Sequence, residues 1–172
     1  QTADFARYGA QVTVQTNPAG QQITVDGTLY TSPQIFTWLT GSVHTIAAAD
    51  TQSGTVGTRY VWNSWNDGKA RTHSVSPQFD TVFTANFTAQ YFLTMGANPG
   101  GTVKPASGWF TRNQVVTIIA IPDPNFTFSS WSGNGHFENR DTTTVTMFGP
   151  FYETASFRRN LVTVTINPNP AV

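Results

Sequence analysis

Apolar and polar residues alternate in short runs along most of the chain. Val12 and Val14, Ile23 and Val25, Phe83, Ala85 and Phe87, and Val162, Val164 and Ile166 all stand between polar neighbours. A period of two sends successive side chains to opposite faces, so each run predicts a strand with one buried and one wet face. Turn chemistry separates the runs: Asn17-Pro18-Ala19-Gly20, Asp26-Gly27, Asn66-Asp67-Gly68, Asn98-Pro99-Gly100-Gly101 and Gly133-Asn134-Gly135. Asp-Gly and Asn-Pro supply the positive-φ and turn positions that tight connections need. No stretch combines a 3.6-residue apolar period with helix caps. The pattern predicts an all-β chain.

The runs also recur in order, which is the signature of internal repeats. A strand leading into Asn-Pro appears at 12–20 (VTVQTNPAG), 93–101 (LTMGANPGG) and 162–170 (VTVTINPNP). An alternating strand follows, VHTIAAA at 43–49 against VVTIIAI at 115–121. Next comes a Ser-Trp phrase, YVWNSWNDG at 60–68 against FTFSSWSGNG at 126–135. A closing strand ends each copy, TVFTANF at 81–87 against YETASF at 152–157. The reading is two tandem small antiparallel β-sandwich-like repeat domains, unit 1 over 11–90 and unit 2 over 91–160. Unit 1 carries extra residues around VDGTLYTSPQIFTWL (25–39) and DTQSGTVGT (50–58). Residues 1–10 read as an N-terminal arm or linker. Residues 161–172 read as the first strand of a third unit, or as a donor strand that adds to the sheet edge of an identical subunit.

Composition narrows the function classes. The 172-residue chain has 10% charged residues, against about 25% in an ordinary soluble protein. Threonine is the commonest residue and suits exposed strand faces. Nine basic and nine acidic residues give a formal net charge of zero and no basic stripe, which argues against nucleic acid as a partner. No apolar run reaches the roughly 18 residues of a membrane helix, so no membrane insertion is expected. The chain has no cysteine, which excludes disulfides, thiolate catalysis and Cys-zinc sites.

The run of NP-x-G, VHTI, VWNSWNDG and TANF resembles the bacterial extracellular repeat domains of the divergent internalin B-repeat type. The opening VTVQTNPAGQQITVDGTLYTSP also resembles a PEGA-type module, matching at Asn17, Pro18, Gly20, Val25, Asp26, Gly27, Ser32 and Pro33. Unit 2 departs from that second pattern, with VKPASGWF (103–110) in place of the V-DG hairpin. The likeness implies a small β-rich module of secreted or cell-surface bacterial proteins. It also implies a spacer, an adhesive stalk or an accessory beside an enzyme, with neighbouring repeats or identical subunits as partners.

Candidate chemistry is sparse. Trp65 and Trp131 hold equivalent places beside apolar strands and read as structural core, together with Phe87 and Phe157. Trp38, Trp62 and Trp109 are the candidate ligand residues, since exposed indole faces stack on sugars. Strict alternation puts Trp62 on the face opposite Trp65. Asn63, Asn66 and Asp67, and separately Asn134, Glu138, Asn139 and Asp141, collect oxygen ligands without the spacing of a calcium loop, and read as Asx turns. His44, His73 and His136 are scattered, so no metal and no cofactor are expected. The sequence carries no GxSxG, HExxH, GxxxxGK[ST] or post-strand GxGxxG motif. Nothing brings a carboxylate pair such as Asp67 and Asp80 together for glycoside hydrolysis. Asn86 and Asn125 lie in glycosylation sequons. The expectation is a non-catalytic structural or adhesive module that assembles into an array or fibre. The alternative is a carbohydrate-binding accessory of a secreted hydrolase.

Overall fold

The computed structural model describes residues 9–134 and 139–161. Among these the chain is all-β, and it divides into two compact units, Gln1–Tyr91 and Phe92–Val172. Residues 1–8 of the expected arm, and 162–172 of the expected third-unit or donor strand, lie outside the described residues.

Unit 1 contains β1 (Gly9–Asn17), β2 (Gln22–Val25), β3 (Thr28–Thr31), β4 (Gln34–Leu39), β5 (His44–Ala48), β6 (Thr51–Ser53), β7 (Thr58–Trp65), β8 (Thr72–Val75) and the first part of β9 (Thr81–Ala97). One sheet runs β4-β1-β9-β7-β6 and the other β3-β2-β5-β8. Inward side chains of both sheets, among them Val12, Val14, Ile23, Ile46, Trp65, Val75 and Phe83, form one core. Asp26 and Gly27 both take positive φ, 50° and 80°, which closes the β2–β3 hairpin in two residues with the twist of a type I′ turn. Charged residues are missing from this core because nothing in it would compensate their desolvation.

Unit 2 contains the rest of β9, then β10 (Gly101–Lys104), β11 (Gly108–Thr111), β12 (Val115–Pro122), β13 (Phe126–Gly133), β14 (Thr142–Thr146) and β15 (Phe151–Arg159). Its sheets are β13-β15-β9-β11 and β10-β12-β14. Leu93, Val116, Ile118, Trp131, Val145, Met147 and Ala155 are buried in it.

The two topologies correspond strand for strand. In each unit the first strand lies parallel to the last: β1 on β9 with Val14 opposite Phe83, and β9 on β15 with Met95 opposite Glu153. A parallel pair needs a long crossover, and here the remainder of the unit is that crossover. All other registered pairs are antiparallel. β2, β5, β7 and β8 of unit 1 correspond to β10, β12, β13 and β14 of unit 2. The extra residues of unit 1 build β3 and β6, which have no counterpart among the described strands of unit 2.

Candidate functional site

The repeated Ser-Trp phrase encodes a β-bulge. On β7 the register to β9 slips between Trp62 and Ser64, so Trp62 lies opposite Phe87 and Trp65 opposite Ala85. On β13 the same slip between Phe128 and Ser130 places Phe128 opposite Phe157 and Trp131 opposite Ala155. Directly opposed residues share a face, and Phe87 and Ala85 are both buried. The extra residue therefore turns Trp62 onto the same face as Trp65, which corrects the expectation from strict alternation. Trp62 is half-buried and packs against the core. Trp65 and Trp131 are almost completely enclosed. Removing an indole from water is worth about 4–6 kcal/mol by area, as an upper bound.

An asparagine locks each bulged strand to its neighbour. Asn66 donates Nδ2–H to Val82 O at 2.9 Å and accepts from Thr84 N–H at 2.9 Å. Asn134 donates to Pro150 O at 3.2 Å and accepts from Tyr152 N–H at 2.8 Å. β13 runs two residues further past its tryptophan than β7 does before meeting this clamp. Gly133 lies in that extension, opposite Glu153. A Cβ on Gly133 would sit 2.0 Å from Tyr152 O and 2.6 Å from Glu153 Oε2, so only glycine fits. Glu153 is fully buried at the position where unit 1 has Phe83.

A second cluster exists in unit 1 alone. His44 Nδ1 is 2.6 Å from Asp26 Oδ2, and His44 Nε2 is 2.9 Å from Ser42 Oγ. Asp26 Oδ1 also accepts from Thr45 N–H at 2.8 Å. The hydrogen bond from His44, then the one from the Thr45 backbone, hold the Asp26 carboxyl below its usual range. The imidazole lies flat on Trp38, with centroids 3.9 Å apart and planes 12° from parallel. Trp38 in turn stacks on Phe36. Trp38 is 7% exposed, so it does not offer a free face for a sugar, and the structure moves it from candidate ligand residue to core.

The order Ser–His–Asp resembles a nucleophile, base and orienting acid. The serine hydroxyl also has a backbone partner. Ser42 Oγ–H points at Leu39 O, 2.7 Å away. The cluster ties the β2–β3 turn, the β4–β5 loop and the start of β5 together, with the imidazole stacked on the Trp38 indole. In unit 2 the position of His44 is Val116.

The remaining candidates do not converge on one site. Trp109 is half-buried, edge-on to Phe92 at 5.2 Å. Phe157 is half-buried beside Phe128, whereas Phe87 is buried. Asp67 accepts from Lys69 N–H and lies 3.1 Å from His73 Nε2, while His73 Nδ1 donates to Ala70 O and its ring meets Trp65 edge-on. Asn66 spends its amide on β9 and Asp67 accepts from the Lys69 backbone, so both act as turn residues, whereas Asn63 is the extra residue of the β7 bulge. Among the described residues no three His, Asp or Glu side chains gather as metal ligands. His136 and Glu138 lie outside the described residues. Sequence reasoning missed two features: the meeting of Asp26, Ser42 and His44, and the burial of Glu153. Each had a signal, because His44 and Glu153 are where the aligned repeats differ in polarity.

One open cleft of about 420 Å³ lies beside these loops, lined by Gly9, Ala10, Thr40, Gln78, Phe79 and Asp80. Phe79 is 80% exposed there. Comparison with curated proteins and with solved structures gives no match. Residues 91–161, which are unit 2 with its first strand, match the family model of the divergent InlB B-repeat domain.

Proposed function

We propose that the protein is a non-catalytic structural or adhesive module of a bacterial secreted or cell-surface protein, joining neighbouring repeats or identical subunits into an array or fibre. The observation that carries this reading is the doubled device of bulge, buried tryptophan and asparagine clamp. Both units spend their aromatic and amide side chains on holding sheets together, and unit 2 matches a repeat-domain family. A stacked or strung repeat needs this kind of internal closure more than it needs a cleft. Protease treatment of intact producing cells is expected to release its peptides. Release only after lysis would overturn the surface assignment. Ester or amide turnover that disappears in Ser42→Ala would overturn the non-catalytic part.

A carbohydrate-binding accessory is the second reading, favoured by one observation. Phe79 stands exposed beside hydroxyl, amide and carboxylate groups at the cleft of unit 1. An exposed ring flanked by such groups is the usual make-up of a sugar subsite. Polysaccharide titration should then perturb the Phe79 ring resonances, and Phe79→Ala should abolish binding. No response to any sugar on a glycan array would eliminate this reading.

A further inference from the structure

The free edges of the sheets are unequally guarded. Edge strands present unpaired backbone groups, and proteins blunt them with charge, proline, bulges or shortness. Among the described residues, β6 has three residues and follows Asp50, β8 has four and follows Arg71, and β10 ends in Lys104. β11 has four residues and precedes Arg112, β14 has five and follows Asp141, and β13 carries its bulge. β3 is four residues long.

β4 differs from all of them. It is six residues long, it ends its sheet among the described strands, and its register to β1 is unbroken from Gln34 to Leu39; Pro33 stands just before it, but none of its six positions is a proline. No Lys, Arg, Asp or Glu occurs between Asp26 and Asp50. Its outward row is Ile35, Thr37 and Leu39, with Ile35 64% and Leu39 70% exposed. This row is palindromic in character. If two β4 strands run antiparallel about an axis at Thr37, Ile35 of each faces Leu39 of the other, and Phe36 faces Trp38. A neutral strand meets its own copy with no like-charge penalty, and the isologous geometry is that of a two-fold dimer.

We propose that β4 is a self-association edge, through which two copies of the chain pair as antiparallel strands centred on Thr37. Six residues a side is well short of the roughly 20–30 of a stable interface. The contact is therefore weak alone and becomes effective where copies are held close, as on a crowded surface, by effective concentration. It is independent of whether the module is adhesive or sugar-binding.

The test uses the whole chain. Translational diffusion measured from about 0.05 to about 1 mM, spanning the range of weak association, should slow with concentration for the native protein. The Ile35→Lys/Leu39→Lys variant should not slow, because both side chains are already in solvent and the core is untouched. Because the protein lacks cysteine, Thr37→Cys should cross-link under mild oxidation at least about tenfold faster than Thr144→Cys on the guarded edge β14, since centred pairs approach disulfide distance. A concentration-independent monomer, association undiminished by the two lysines, or equal cross-linking at positions 37 and 144 would each overturn the proposal.

Discussion

Units 1 and 2 share one closure and differ in what they add to it. In both, a bulge delivers a tryptophan into the core opposite an alanine, and an asparagine pins the strand end. Unit 1 then adds β3 and β6 and a stacked His44 held by Asp26 and Ser42. Unit 2 has none of these counterparts among the described residues, and it buries a carboxylate, Glu153, where unit 1 buries Phe83. The shared parts are those the sandwich cannot close without. The differences fall on sheet edges and on a few inward positions: Val116 takes the place of His44, Glu153 that of Phe83, and the half-buried Phe157 that of the buried Phe87.

Exchanging the core position of Phe83 and Glu153 should break the comparison most severely. Phe83→Glu brings a carboxylate into a core that has no glycine opposite to make room, and should cost roughly 3 kcal/mol or more, enough to unfold unit 1. Loss of amide protection confined to residues of unit 1 in hydrogen exchange would show it. Gly133→Ala comes next, with an expected loss of about 2–3 kcal/mol from overpacking against Tyr152 O. Hydrogen exchange of unit 2 amides across a urea series should register that loss.

The clamps test the equivalence itself. Asn66→Ala and Asn134→Ala each remove two hydrogen bonds to the neighbouring strand, and each should cost about 1–2 kcal/mol. Matched losses in chemical denaturation would support a common device, whereas a loss at one position alone would end the comparison. The smallest effect should come from Asp26. Its folded pKa is depressed, so its contribution is present above the unfolded value of about 4 and fades as pH falls through the folded value. Asp26→Asn keeps the positive-φ turn but should flatten this acid limb, with a change below about 1 kcal/mol because the Asp26 carboxylate is half-exposed. Thermal melts of both proteins between about pH 5 and 2.5 would follow it.

Period-two alternation and the order of repeated phrases were enough to read the fold class, because strand faces and tight turns are local properties of sequence. Asp26-Gly27 announced its hairpin for the same reason. The faces of Trp62 and Trp65 were not legible, since one inserted residue reverses the parity of a strand and only the register to β9 shows that the Ser-Trp phrase holds one. The parallel pairing of β1 with β9 was not legible either, because it joins positions about seventy residues apart. Trp38 looked like a ligand residue for want of any sign that His44 would cover it.

By itself the sequence determined that this chain is β throughout, repeats its phrases, carries almost no charge over its first hairpins and lacks cysteine chemistry. Only the tertiary structure decided that Asp26, Ser42 and His44 meet, that Glu153 is enclosed, and that β4 ends its sheet among the described strands. Strand propensity and turn chemistry act between neighbours, whereas burial, edge position and side-chain proximity depend on which strands the closed sheets set side by side.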